Sequence, residues 1–173
     1  MTDTGQPLFT PADESTLYDA TVSICFRVPG PPVGKEVKLS TVCGHASARN
    51  TPATASYQNL VCHLASLARP HDWPMDALYS VLVLAVFPRP KRLLERSKRT
   101  GALLHASEHR MRYESKPDLD NVLKAVADGC TKAGLWTDDC RIDNWDGSRR
   151  VYAAVGEEAH TEVIVTRIVG KQA

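Results

Sequence analysis

Residues 78–87 read LYSVLVLAVF, an unbroken apolar run of ten residues that is rich in β-branched side chains. A run of this length without alternation is typical of a strand that is buried on both faces. Pro88 and Pro90 follow at once, and proline ends a strand because it lacks the backbone donor. We therefore predict a buried central strand over Leu78–Phe87, around which the rest of the fold is arranged.

The sequence before this strand predicts a further strand, a loop and an N-terminal tail. Residues 21–28 (TVSICFRV) alternate apolar and polar side chains, which favours a strand that ends at the prolines of residues 29–32. The segment with Gly34, Lys35 and Lys38 is interpreted as a loop. Residues 1–20 are polar and acidic without periodicity, so we expect a flexible tail before a folded domain of residues 21–170.

A first helix is predicted to begin at Thr51 and to end before Pro70. Thr51 suits the N-cap, and Pro52 suits the first helical position. Apolar side chains recur at helical spacing and are expected to face the core. They are Tyr57, Leu60, Val61, Leu64, Leu67 and Ala68.

A second helix is predicted between Pro117 and Gly134. Asp118 suits the N-cap, where its carboxylate would accept from the free amides of the first turn, and Gly134 suits the C-terminal cap. Its apolar stripe is Leu119, Val122, Leu123, Val126 and Cys130. Two further strands, residues 141–154 and 161–168, are expected to form a hairpin through Gly156.

These elements predict an α+β fold in a single domain. The order is strand, helix, strand, basic loop, helix, strand and strand, and 173 residues suffice for one core. We expect a two-layer sandwich, in which two main helices pack on one face of a mixed β-sheet.

The composition excludes several classes of protein. Five cysteines, an odd number with no C-x-x-C pair, argue against a zinc site and against a secreted disulfide framework. The sequence shows neither an apolar run long enough to span a membrane nor a signal peptide. We expect a cytoplasmic protein without a membrane partner.

Charge is distributed unevenly although the net charge is only +1. Residues 89–112 carry eight basic and two acidic side chains, a local net charge of +6. We interpret residues 89–115 as a basic mobile loop that holds one short helix. Residues 116–146 carry seven aspartates against four basic side chains, a local net charge of −3. This order suits a nuclease, because cations hold phosphates while carboxylates hold a divalent cation.

Asp118, Asp120, Lys124 and Asp139 are the candidate catalytic residues within the acidic segment. Asp118 and Asp120 straddle the helix start and are expected to point into one cleft, and Asp120 and Lys124 share a helical face. The turn after the helix would bring Asp139 back, at the start of the next strand. Three carboxylates suit Mg²⁺, with Mn²⁺ as a substitute. The alternative is a helix cap beside an ordinary surface salt bridge.

The acidic segment resembles the signature of the RusA family of Holliday junction resolvases. The matching residues are KPDLDN (116–121), Lys124, Asp128, TKAGLW (131–136) and the pair Asp138-Asp139. Weaker similarity includes VPGPPVGK (28–35), so the resemblance covers roughly residues 22–168.

The resemblance implies a role for each matched residue. Asp118, Asp120 and Asp139 would bind the metal, and Lys124 would be the essential lysine. Asp138 is the less suitable ligand by spacing, while Asp128 and Asn121 are interpreted as structural. The family consists of Mg²⁺-dependent homodimers that resolve four-way junctions by paired symmetric nicks, in DNA recombination and repair.

Cations near the motif are the candidate DNA contacts. They are Lys35, Arg89, Lys91, Arg92, Lys98, Arg99, Arg110, Arg112 and Lys116. Trp73, Trp136 and Trp145 are expected to pack in or at the rim of the core, and His105 and His109 to be surface residues. The family's arginines after the proline-rich lysine are replaced here by Glu36, Val37 and Lys38.

Two alternative functions remain open at this point. The first is a broader nuclease that debranches flaps and forks as well as junctions. The second is a non-catalytic protein that binds DNA junctions, with an acidic cluster that is only structural.

Overall fold

The computed structural model describes residues 18–42, 45–103 and 109–168. In chain order these form β1 (Tyr18–Pro29), β2 (Val37–Val42), β3 (His45–Asn50), α1 (Pro52–Ala68), β4 (Leu78–Phe87), β5 (Met111–Arg112), α2 (Leu119–Lys132), β6 (Ile142–Asn144), β7 (Arg149–Tyr152) and β8 (His160–Ile168). Of the tail expected over residues 1–20, residues 18–20 belong to β1, and the rest lies outside the described residues. The first strand therefore begins three residues earlier than predicted.

The main sheet is arranged around β4, as the apolar run predicts. β8 pairs antiparallel with β4 on one side and carries β1 beyond it. On the other side, β6 and β7 both pair with β4 in parallel, and β5 pairs antiparallel with β7. The sheet is therefore mixed, as expected.

The hairpin predicted through Gly156 is wrong. Residues 141–154 form two short strands, β6 and β7, which are separated by residues 145–148. β7 pairs with β4 rather than with β8, and β8 lies on the opposite side of β4. β7 and β8 each pair with β4, and this non-local pairing replaces the predicted local hairpin.

The loop predicted around Lys38 is also partly wrong. Residues 37–50 contain β2 and β3, which pair with each other in a separate two-stranded sheet. Residues 33–36 remain without regular structure, as expected. The β2–β3 hairpin leaves the main sheet and is connected directly to the start of α1.

Helix α1 begins and ends as predicted. The hydroxyl of Thr51 accepts from the amide of Thr54 at 3.3 Å, and Pro52 opens the helix. Tyr57 and Val61 are buried in the core, but Leu67 is 71% exposed, so its predicted core position is wrong. Leu67 lies one residue before the last residue of α1, Ala68.

Helix α2 also matches its predicted range, with one correction. Asp118 occupies the N-cap, but its side chain makes no capping hydrogen bond. At the other end, Gly134 has a φ of 70° and its amide donates to the Thr131 carbonyl. A left-handed glycine with this bond is a common helix stop.

Both helices pack on one face of the main sheet, which confirms the two-layer α+β architecture. Val81 and Val83 of β4 share a core cluster with Val61 of α1 and Val126 of α2. Leu84 and Val86 of β4 belong together to a different cluster, because alternate strand residues point to opposite faces of the sheet. Among the described residues, no helix is long and apolar enough to cross a membrane.

The two helices approach each other closely at Gly129. A Cβ atom there would lie 2.6 Å from Cγ1 of Val61 and 2.9 Å from the Gln58 carbonyl oxygen. Gln58 also donates through Nε2 to Oδ2 of Asp128 at 2.7 Å. These contacts fix α2, and with it the acidic segment, against α1.

Candidate active site

Asp120, Lys124 and Asp139 line one cavity of about 320 Å³. The Lys124 Nζ atom lies 3.2 Å from Oδ2 of Asp120, and both side chains are more than 60% exposed. Trp145 forms part of the same wall. The structure thus brings together three of the four predicted catalytic residues, with two carboxylates and one ammonium group open to solvent.

Asp118 does not share this cavity, which corrects the expectation of one cleft. It lines a neighbouring cavity of about 450 Å³ together with Lys35, Lys116 and Asn121. Asp118 and Asp120 are two residues apart, and residues at that spacing do not share a helix face. In the part of the chain that the structure describes, no group of three or more metal-binding side chains is close enough to hold an ion.

Asp138 and Asp139 have different surroundings. Oδ1 of Asp138 accepts from the Cys140 amide at 2.9 Å and caps the 3-10 turn Asp139–Arg141. The Cys140 hydrogen bonds lower the pKa of Asp138 from its ordinary value. Asp139 was expected to begin the next strand, but it opens this 3-10 turn instead. Asp139 also lines the cavity. This difference supports Asp139 rather than Asp138 as the candidate ligand in the cavity of Asp120 and Lys124.

Asp128 is held in structural contacts, as predicted. Its Oδ2 atom lies 2.8 Å from Nζ of Lys35 and accepts from Gln58. Both charged side chains are about one-third exposed, so this ion pair ties the segment of Lys35 to α2. Lys35 is thereby engaged within the protein, and its predicted contact with DNA stays a prediction.

Residues 33–36 pack directly on the start of α2. The Lys35 amide donates to the Asn121 carbonyl at 2.7 Å. A Cβ atom at Gly34 would lie only 2.5 Å from Cβ of Pro117. A residue without a side chain is therefore required where this segment passes the residues that precede Asp118.

Arg150 holds the same approach to α2 and was missed by the sequence analysis. Its Nη1 atom donates to the carbonyls of Ser115 and Pro117, at 2.8 and 2.7 Å. Its guanidinium also lies 5.5 Å from the ring centre of Tyr113, whose hydroxyl donates to the Lys116 carbonyl. Burial raises the pKa of Tyr113. The only signal in the sequence was the Arg149–Arg150 pair.

Two of the predicted DNA-binding arginines are engaged in contacts within the protein. Arg89 donates through Nε to the Ala153 carbonyl at 2.9 Å. Arg110 pairs with Glu157 and Glu162 at 2.5 and 3.2 Å. These contacts fasten the two ends of the basic segment to the region after β7 and to β8. Both arginines thus have structural contacts, and their predicted contact with DNA stays a prediction.

The remaining predicted DNA contacts are exposed. They are Lys91, Arg92, Lys98, Arg99, Arg112 and Lys116. Arg112 and Arg149 line a third cavity, which also reaches Leu119 at the start of α2. The short helix expected in the basic segment is the 3-10 turn Lys91–Leu94. The mobility of residues 89–115 stays a prediction, and residues 104–108 lie outside the described residues.

The three tryptophans and His109 lie where they were expected. Trp73 and Trp136 are buried in the core, while Trp145 packs against the rim and lines the carboxylate cavity. His109 is exposed, and His105 lies outside the described residues.

Comparison with known families agrees with these observations. The model of the endodeoxyribonuclease RusA family matches residues 29–166. The chain belongs to the RusA family. The match includes all four candidate catalytic residues, the β2–β3 hairpin and Arg150. RusA membership implies nuclease activity on Holliday junctions. No curated protein matches the chain significantly.

Proposed function

We propose that this RusA-family chain is a Mg²⁺-dependent endodeoxyribonuclease that resolves four-way DNA junctions by paired symmetric nicks. One observation carries the proposal: Asp120, Lys124 and Asp139 line one open cavity beside the N-terminal half of α2. The reaction is hydrolysis of a phosphodiester by water, which leaves two DNA ends at each nick. We place this activity in DNA recombination and repair.

The donor set fits Mg²⁺, with Mn²⁺ as a substitute. Mg²⁺ prefers oxygen ligands, and proteins usually bind it through one or two carboxylates plus water and substrate oxygens. Asp120 and Asp139 share a cavity, and the carboxylate of Asp118 is not used to cap the helix. Asp120 and Asp139 would hold the metal together with water and substrate oxygens, and Asp118 would join them as the third ligand if its side chain turned toward their cavity. When bound, the metal would supply Lewis-acid assistance and activate water.

Lys124 would act on the charge of the reacting phosphate. Its pair with Asp120 is exposed, and exposed pairs contribute little to stability, so fold stability does not explain it. An ammonium group held at a fixed position stabilises negative charge that develops in the transition state. Asp120 orients Lys124 by accepting its hydrogen bond at 3.2 Å. We therefore assign Lys124 to the scissile phosphate.

The DNA substrate would approach over the start of α2. Amides at a helix N-terminus favour anions, and Lys116 and Arg112 are exposed beside it. The cations of residues 91–99 extend this positive surface. Such contacts would bind DNA without reading its sequence.

Two symmetric nicks require two active sites. The described part of the chain supplies one cavity lined by Asp120, Lys124 and Asp139, so we propose a homodimer whose two-fold axis matches that of the junction. Sedimentation at the concentrations used for cleavage would test it. A monomer that nonetheless makes paired nicks would contradict this part of the proposal.

The two alternatives predict different results in one experiment. Four-way junctions, forks and flaps are incubated with the protein at one salt concentration while Mg²⁺ is titrated. Cleavage restricted to the junction supports the proposal, and equal cleavage of all three supports a debranching nuclease. If Mg²⁺ supports no cleavage of any of the three substrates, the second alternative is favoured, a non-catalytic protein that binds DNA junctions.

Asp146→Asn provides a matched control for the carboxylates. Asp146 is exposed and close in sequence to the cavity residue Trp145, but it does not line the cavity. Asp146→Asn should nick like the wild type, whereas Asp139→Asn should not. Equal activity of both variants would contradict the assignment of the cavity.

A further inference from the structure

We propose that the β2–β3 hairpin is a second DNA-binding surface, on which Lys38 and Arg49 bind the phosphate backbone of a duplex arm next to the cleavage site. This inference rests on the proposed function, and it assigns part of the substrate to a segment that the sequence analysis interpreted as a loop.

Two like charges face each other directly across the hairpin. Lys38 of β2 is the register partner of Arg49 of β3, so their side chains project from the same face. Residues directly opposite in an antiparallel pair have Cβ atoms about 4.5–5.5 Å apart, and like charges at this distance destabilise the pair. The arrangement is unfavourable for the hairpin alone and becomes favourable when an anion lies between the two cations.

Nothing described in the protein neutralises this pair. Both side chains are exposed, and among the described residues no carboxylate forms an ion pair with either of them. Residues 37–50 contain no aspartate or glutamate, so Lys38 and Arg49 give the segment a formal charge of +2. The complementary partner is therefore an external polyanion.

The hairpin is attached rigidly beside the candidate active site. The Lys35 amide donates to the Asn121 carbonyl, and the Thr51 amide donates to the Glu36 carbonyl at 3.0 Å. The two ends of the hairpin are thus joined at its base, one turn from Asp118 and Asp120. A cavity lined by Glu36, Lys116 and Asp118 lies between the base and α2. DNA with a phosphate in the active site would therefore pass close to the hairpin.

The opposite face of the hairpin carries uncharged side chains, among them the apolar pair Leu39 and Ala48. Leu39 is 83% exposed. This face offers no charge to DNA, and its apolar surface fits a second protein copy instead. We assign DNA to the cationic face because only that face carries the opposed charges, and the experiment below distinguishes the two occupants.

The test measures junction binding without metal as a function of salt concentration. Each phosphate contact contributes about 0.9 to the slope of log affinity against log salt. The double variant Lys38→Gln/Arg49→Gln should lower this slope by about 2 and weaken binding at least about 10-fold near 0.1 M salt. The charge-preserving control Lys38→Arg/Arg49→Lys should keep the wild-type slope, and thermal melting verifies that each variant is folded.

An unchanged salt slope in the folded Gln variant would overturn the inference. So would a loss of dimer in sedimentation at an unchanged slope, because the hairpin would then contact a second copy. The role of the hairpin and the proposed nuclease activity are tested by different measurements, so one can be contradicted without the other. A wild-type protein that binds the junction but does not nick it with Mg²⁺ contradicts the proposed function, while the same titration still determines the role of the hairpin.

Discussion

Arg150 donates a hydrogen bond to the Pro117 carbonyl at 2.7 Å, one residue before Asp118. Arg150 and Pro117 are 33 positions apart in the chain, and β7, which lies between β4 and β5 in the sheet, brings Arg150 beside the start of α2. This hydrogen bond holds the segment that precedes Asp118 and Asp120 against the sheet.

Replacement of Arg150 tests this positioning role. Arg150→Ala should lower nicking about 10- to 100-fold, as losses of groups that orient metal ligands typically do, and it should raise the Mg²⁺ concentration for half-maximal activity. Arg150→Lys, which keeps the charge and a donor, should restore part of the activity. A purely structural role would lower the melting temperature without changing the Mg²⁺ requirement, and that result would contradict positioning.

Asp120→Asn separates catalysis from DNA binding. The amide keeps the size of the side chain but loses its charge, so nicking should fall at least about 100-fold. Junction affinity without metal should remain or rise, because the basic surface is unchanged. Full nicking by this variant would remove Asp120 from the active site.

Gly34→Ala tests the close contact beside α2. The new methyl group would lie 2.5 Å from Cβ of Pro117, so the backbone must move. We expect a loss of about 1–3 kcal/mol in the free energy of unfolding, measured by urea denaturation, and a lower rate of nicking. Unchanged stability and rate would show that the segment adapts to the methyl group without effect on the site.

Glu157 should make stability depend on pH in the acid range. The Arg110 hydrogen bond lowers the pKa of Glu157 from 4.5 to about 2. Its ionised form thus stabilises the fold fully above pH 4.5, and this contribution is lost as the pH falls toward 2. Solvent screening limits it to about 1 kcal/mol.

The control for this effect is Glu157→Gln. It should be less stable than the wild type at neutral pH, and the difference should disappear as the pH falls toward 2. Thermal melting of both proteins between pH 2 and 7 measures this. A difference that is constant over the whole range would mean that the Arg110 contact does not act through ionisation of Glu157.

Local patterns predicted most elements because their causes are local. The apolar run of Leu78–Phe87, the cap at Thr51 and the stop at Gly134 each depend on a few neighbouring residues. The pairing of Asp120 with Lys124 follows from helical spacing alone. Asp139 was placed near them correctly because the turn that follows α2 is short.

The remaining features depend on contacts between distant segments. The pairing of β7 with β4 instead of β8 is decided by burial in the sheet, which no local pattern records. The contact of Arg150 with Pro117 arises in the same way. The separation of Asp118 from Asp120 was foreseeable from helix geometry, since residues two positions apart on a helix face different directions.

Resolution of four-way junctions is tested by mapping both nicks in a synthetic mobile four-way junction that is incubated with the protein and Mg²⁺. We expect two nicks placed symmetrically across the branch point, in strands of the same polarity, and none with Asp120→Asn. Cleavage at unrelated positions, or no Mg²⁺-dependent cleavage by the folded wild-type protein, would contradict the proposed function.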